Sequence, residues 1–473
     1  MRHPRRACPL LFFLILILSG YRVAAQTPAP LPDIPLPDIK EQIETMMKAY
    51  AVEGLAVVVV RDQETLLSSG LGVQADGTPY TSDTPNGAYS ATKALSSFVY
   101  ASLVEEGLLD LDAPIGQLLD DAPAAWADIP FWRLLNHTSG ITMIVNRPEF
   151  EHLEADPTTG NAEIYRILRP HPLDYAPGKA SRYRQSGYAV AEMILEQQLG
   201  QTWPALVEDH LTGPAGATAT VHAQLASGAR TTPLIASAGG YQTTADDMAA
   251  LFRALNAGQV VAPAFLEDLL YRDAYTVNGY SLGSILDVID GVRTLGHQGG
   301  GARATVRYVP SRRVGVAVFT HETANYGLAL HVADLLVRAF ALGQQPKLPI
   351  SAPLLEMRTA PASDIVAFYE AASAQPDPAY DFTQAEWILN QLGYLALSDG
   401  RIDDAITVFS LNVRAHPGSA NVHDSLGEAY FEQGDLDRAH SSYRRALELD
   451  PSSVHAQTMI ERINKQRQEG GGP

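Results

Sequence analysis

The chain has 473 residues, enough for more than one domain with its own core, and its 46% hydrophobic and 18% charged residues are ordinary for a soluble protein. A net charge of −19 argues against nucleic acid and anionic membranes as partners. A single cysteine, Cys8, excludes a disulfide framework and a cysteine-ligated metal.

Residues 1–25 read as a secretory signal. Arg2, Arg5 and Arg6 precede an apolar run from Leu10 to Leu18, and Val23-Ala24-Ala25 forms a small-residue cleavage site before Gln26. The run is too short to span a bilayer, so an exported protein, periplasmic or secreted, is expected; an uncleaved anchor is the alternative. Cleavage removes Cys8 and four arginines, which moves the net charge to −23 and leaves no thiol. Residues 26–37 form a proline-rich spacer. A helix over Ile39–Tyr50 follows, then Gly54–Asp62 and Glu64–Gly72 as the two strands of a hairpin.

Ser90-Ala91-Thr92-Lys93 opens the next helix. Ala94, Leu95, Phe98, Val99 and Leu103 recur at helical spacing, and Gly107 supplies a stop. Residues i and i+3 share a helix face, so the hydroxyl and the amine can enter one cavity. The first turn also offers unpaired N–H groups to developing negative charge. Of the six lysines only Lys93 has a serine three residues before it. A surface lysine on an ordinary helix is the bland alternative. Farther on, 146–178 is irregular, a candidate lid or pocket wall. SLGSILDV, ATVRYVP and RVGVAVFTH then read as late strands, and LALHVADLLVRAFAL as a closing helix. Strands at both ends with helices between predict an α+β fold: one antiparallel sheet, first and last strands adjacent, beside a helical layer. This domain runs over 38–345.

The proline-containing stretch 346–376 reads as a linker with a helix near Ser363–Ala372. Beyond it, Leu392-Gly393 recurs as Leu426-Gly427, Gly400 as Gly434, Ala405 as Ala439, Phe409 as Tyr443 and Pro417 as Pro451, every offset being 34 residues. That is the period of a tetratricopeptide repeat. The repeat domain is expected over 377–467, with a capping helix at His455–Arg467, and residues 468–473 as a disordered tail. It can hold a peptide or protein partner in its groove, or serve only as a packing or dimerisation appendage.

With S-x-x-K, the segments WRLLNHTSGI (132–141), APGKASRYRQSGY (176–188), SAGGYQTTADD (237–247) and GHQGGG (296–301) resemble, in this order, the serine β-lactamase-related family. That family includes class C β-lactamases, D-alanyl-D-alanine carboxypeptidases, esterases and D-aminopeptidases, and the resemblance covers roughly 38–340. It implies Ser90 as nucleophile, with Lys93 and Tyr183 acting together on its proton. His297 stands in the place of the family's K-T-G element, just before a strand, where many esterase and peptidase relatives carry His-x-Gly. There it is expected to face the cavity and to polarise Tyr183 or bind an acidic substrate group. Gln185 replaces the asparagine of Y-x-N and, with Gln298, Gly299 and Gly300, is expected to bind substrate. The Gly300 and Ser90 N–H groups would form the oxyanion hole. His137 and the glycines of AGGYQTTADD are expected only to shape turns, with Thr243 or Thr244 as a helix cap.

No two of the thirteen histidines lie within four residues, H-E-x-x-H is absent, and no P-loop or dinucleotide fingerprint occurs. No metal and no cofactor are expected. The reading is an exported serine hydrolase of an ester or amide: a carboxylic ester, a D-amino-acid peptide or a β-lactam. His297 and Gln185 tilt it toward esterase or D-peptidase. The alternatives are a class C-like β-lactamase, and a weakly catalytic scaffold that holds a partner on its repeats.

Overall fold

The computed structural model describes residues 34–145, 147–229, 231, 233–321, 327–376 and 378–470. The expected signal segment, most of the spacer and the last three residues lie outside these. Seven strands form one antiparallel sheet: β1 (Gly54–Arg61), β2 (Glu64–Gly72), β3 (Tyr280–Ser281), β4 (Ser284–Ile289), β5 (Val292–Gly299), β6 (Ala304–Val309) and β7 (Val314–Thr320), in the order β2-β1-β7-β6-β5-β4-β3. The first and last long strands pair, with Val58 opposite Ala317, as the fold expectation required.

The run Leu-Ala-Val-Val-Val-Val in β1 does not alternate in polarity because both faces of the sheet are covered. Ala56, Val58 and Val60 enter one core with helices α2 (Thr92–Glu105), α3 (Ser186–Leu199) and α4 (Ala245–Asn256). Leu55, Val57 and Val59 enter a second core with α1 (Leu36–Ala49) and α5 (Leu328–Leu342). The site's residues lie on the first face. His297, expected just before a strand, is inside one, on β5.

The segment 346–376 is packed structure, which corrects its reading as a linker. Helix Ser351–Glu356 and α6 (Ala362–Ser373) place Ile350, Leu354, Leu355, Ile365 and Tyr369 in the second core. Ile388, Leu389 and Leu392 of α7 (Ala385–Ser398) and Val408 and Leu411 of α8 (Ile402–Ala415) join the same core. Hydrolase-like and repeat regions thus share buried apolar surface. Leu354→Ala is expected to cost about 2–5 kcal/mol in urea unfolding of the full chain. A loss under about 0.5 kcal/mol is what a tether would give.

The repeat period has a direct physical cause. α7–α8 and α9 (Ala420–Gln433)–α10 (Leu436–Leu449) are matching helix pairs, followed by α11 (Val454–Gly470) in the expected capping position. A Cβ on Gly393 would stand 2.4 Å from the Phe409 ring, and one on Gly427 3.1 Å from the Tyr443 ring. Each pair closes on a glycine–aromatic contact, with Ala405 or Ala439 fully buried beside it. Among the described residues no helix is long and apolar enough to cross a membrane.

Candidate active site

Ser90 sits in a 3-10 turn, Tyr89–Ala91, that runs directly into α2. Tyr89 has φ +46°, a left-handed conformation that a non-glycine residue keeps only when its surroundings hold it. α2 is buried on every side from Thr92 to Leu103, and Lys93, one turn along, is buried with it. Its side chain is 0% exposed. Nζ lies 3.4 Å from Ser90 Oγ and donates to the Ala238 carbonyl at 2.6 Å. The Tyr183 and Tyr188 rings stand 4.8 and 5.3 Å away. Burial pushes the ammonium down to about 7, so the amine is substantially neutral in ordinary buffers.

Tyr183 is 45% exposed, and its ring stands 4.8 Å from the Lys93 amine that faces Ser90. Partial burial holds the phenol above its ordinary value, and the neighbouring Ser90 side chain offsets part of that rise. Between the two groups beside Ser90, the amine is therefore the base near pH 7 and the phenol keeps its proton.

His297 Nδ1 bonds the Gln298 carbonyl, which assigns the proton there and leaves Nε2 as an acceptor, buried without a partner. Burial, with the charge of Lys93, pushes His297 down to about 3, so the ring is neutral. Gln185 lines the same cleft as Ser90, its Oε1 buried and unpartnered. Gln298 follows His297 along β5 and so points to the opposite face of the strand. Gly299 lies behind the nucleophile: a Cβ there would stand 2.8 Å from Ser90 N and 2.4 Å from the Ala88 carbonyl. Only glycine lets β5 approach that turn. Gly300 lines the cleft at φ +60°, where a Cβ would strike the Tyr89 ring at 2.6 Å. The cleft itself is about 420 Å³ and open.

Several residues near the centre carry no local mark in the sequence. His137 does hold a turn, with φ +66°. Its ring, however, lies 4.5 Å from Tyr183, 4.7 Å from Tyr280 and 5.6 Å from Tyr188. Nδ1 accepts the Arg184 N–H at 3.2 Å. Burial, with Lys93 and His297 nearby, pushes this imidazole to about 3 as well. Tyr188 donates to the Leu135 carbonyl at 2.7 Å and lies 3.1 Å from the Tyr280 hydroxyl. Lys93 is thus enclosed by neutral rings, which is why burial alone sets its proton affinity. Thr244 caps α4 through Asp247, as expected.

Glu192 is the other unmarked residue, although a carboxylate in the middle of the apolar run YAVAEMIL was a signal available to read. It is fully buried on α3 and accepts from Ala236 N at 3.1 Å, Ser237 N at 2.6 Å, the Ser237 hydroxyl and Asn161 Nδ2 at 2.5 Å. Ser237 in turn takes the Ser96 hydroxyl on its carbonyl, and the next residue, Ala238, holds Lys93. Glu192 thereby fixes the loop that positions the amine. Glu192→Gln replaces an acceptor with a donor that faces donors. The expected cost is about 1–3 kcal/mol of stability, with a displaced acid limb in the pH profile of kcat/KM. A profile identical to wild type would separate this carboxylate from Lys93.

A family model described as Beta-lactamase matches residues 39–339, and one described as Tetratricopeptide repeat matches 420–453. The putative penicillin-binding protein PbpX of Bacillus subtilis (strain 168) is 26% identical over 184 residues, 38% of this chain and 44% of that protein. Esterase EstB of Burkholderia gladioli is 27% identical over 184 residues, covering 34% of this chain and 45% of its own. The chain thus spans less than half the length of these curated relatives. Among solved structures, the octameric penicillin-binding protein homologue from Pyrococcus abyssi superimposes with a TM-score of 0.56 at 20% identity, over 70% of this chain and 82% of that one. At that identity the likeness speaks for the fold. The family match runs over more than half of the residues and takes in all the motifs that meet at Ser90: the chain belongs to the Beta-lactamase family.

Proposed function

We propose that this chain is an exported serine hydrolase that cleaves an ester or amide through an acyl-enzyme on Ser90. The observation that carries the reading is the Lys93 amine: fully buried, lowered to about 7 and 3.4 Å from the Ser90 hydroxyl. The neutral amine takes the hydroxyl proton as Oγ attacks the carbonyl carbon. The Ser90 and Gly300 N–H groups receive the oxyanion. Tyr183 passes its proton to the leaving group and is reprotonated from Lys93. Water then attacks the acyl-enzyme along the same proton path in reverse, releasing the acid and Ser90.

Substrate preference follows from what surrounds the serine. His297 is neutral, so this position does not supply the cation that a lysine there would give. Gln185 offers the amide of Y-x-N on a longer arm. Esters need less leaving-group protonation and less amide recognition than β-lactams, so esterase or D-peptidase action is the favoured reading. EstB, an esterase by name, is consistent with it. The repeat region offers a helical surface for a protein or peptide partner.

Incubation with a fluorophosphonate probe and, separately, a fluorescent penicillin tests the reading. The expected result is one adduct, mapped to Ser90, with the first reagent. Labelling by both reagents would move the assignment toward a β-lactam-reactive enzyme. Labelling by neither leaves the scaffold reading. Export is checked separately, by whether the mature protein begins at Gln26.

A further inference from the structure

A guanidinium lies against two residues of the Ser90 cleft, Tyr89 and Gly300, and no carboxylate among the described residues pairs with it. The turn between β5 and β6 carries Gly300, Gly301 and Ala302 at φ +60°, +68° and +63°. Three left-handed residues in succession, one of them alanine, make a turn that must be held by its contacts. The next residue, Arg303, is anchored at its backbone by the Thr320 N–H at 2.8 Å. Its Nε donates to the Gly300 carbonyl at 2.7 Å, and its guanidinium carbon lies 4.2 Å from the Tyr89 ring centroid. Both Gly300 and Tyr89 line the cleft.

Arg303 is partly buried, and one of its five N–H donors is used by Gly300. Neighbouring Arg307 and Arg313 each pair with aspartate, whereas no carboxylate among the described residues pairs with Arg303. No Asp or Glu is among the described residues lining the cleft, although the chain carries a net charge of −19. A stacked, oriented guanidinium fork beside an amide-lined cleft free of acids is complementary to a carboxylate.

We infer that Arg303 binds a carboxylate carried on the acyl portion of the substrate. The inference rests on the hydrolase reading above and adds its substrate class. The side is set by Tyr183, which lies among His137, Tyr280 and His297, while Arg303 touches Tyr89 and Gly300 instead. The leaving group receives its proton on the Tyr183 flank and departs there. What lies against Arg303, three residues beyond the Gly300 amide and bonded to the Gly300 carbonyl, stays bonded to the serine. The substrates are therefore esters or amides of an acid that bears a second, free carboxylate.

The full-length mature protein is assayed with two 4-methylumbelliferyl esters of equal chain length, the pentanoate and the glutarate half-ester. In wild type, kcat/KM for the glutarate is expected to exceed that for the pentanoate by about tenfold or more, an advantage that shrinks with added salt. In Arg303→Gln the ratio should fall to about one, and Arg303→Lys should restore part of it. A ratio equal in wild type and Arg303→Gln, or a wild-type preference for the pentanoate, overturns the carboxylate inference while the hydrolase stands. Turnover of neither ester, together with no fluorophosphonate adduct, overturns the hydrolase reading and this inference with it.

Discussion

Ser90→Ala is expected to lower kcat by on the order of 10⁴-fold or more and to abolish the fluorophosphonate adduct. The substitution is a clean one. It removes only Oγ, and the backbone N–H that serves the oxyanion remains. Lys93 loses a long 3.4 Å contact but keeps its 2.6 Å bond to the Ala238 carbonyl, so no buried amine is orphaned. Thermal unfolding should therefore stay within about 1 kcal/mol of wild type, which separates lost chemistry from lost fold. Some rate above water should persist, because substrate binding and the oxyanion donors act without the nucleophile. Turnover within tenfold of wild type would remove Ser90 from the mechanism. A scaffold acting through its repeats predicts instead that the variant keeps its cellular role.

How much of this was legible in the sequence depended on whether the signal was local. The serine and lysine could be paired because helical periodicity puts residues three apart on one face. Although Ser90 lies before the helix, the 3-10 turn Tyr89–Ala91 running into Thr92–Glu105 keeps the two side chains together. The 34-residue repeat was legible because Gly393–Phe409 and Gly427–Tyr443 are the same contact made twice. The ring enclosure of Lys93 was not. Tyr188, Tyr280 and His137 come from three separate segments, and only the folded sheet brings them together. His137 was read correctly as a turn residue, but the direction of its ring is a tertiary fact. The linker reading failed because prolines were taken as tether residues. Pro361 precedes α6 at its N-cap, Pro353 lies in the first turn of a short helix, and Pro349 pairs with Asp381. All three positions tolerate a missing N–H. The buried spacing of Ile350, Leu354 and Leu355 between them was the better signal.

The second large effect is the pH dependence that Lys93 imposes. With the amine near 7, kcat/KM should rise about tenfold per pH unit below that value and level off above it, because only the neutral form can take the Ser90 proton. His137 and His297, both near 3, are neutral throughout and add no limb in this window. Lys93→Met should lose about 10²–10⁴-fold in kcat/KM, and with it the acid limb. Lys93→Arg should fare no better, since a guanidinium keeps the charge and never becomes a base. The same shift is a statement about stability. The folded amine titrates near 7 and the unfolded one near its ordinary 10.5, so between these values the unfolded chain binds the proton and the folded chain does not. Relative to Lys93→Met, wild type should thus lose stability as pH falls from about 10.5 toward 7 and hold a constant deficit below. Urea unfolding of both proteins across that range measures the difference. A flat difference, or one that grows upward instead, would mean the amine keeps its ordinary proton affinity in the fold, and the acid limb would then have to arise from another group.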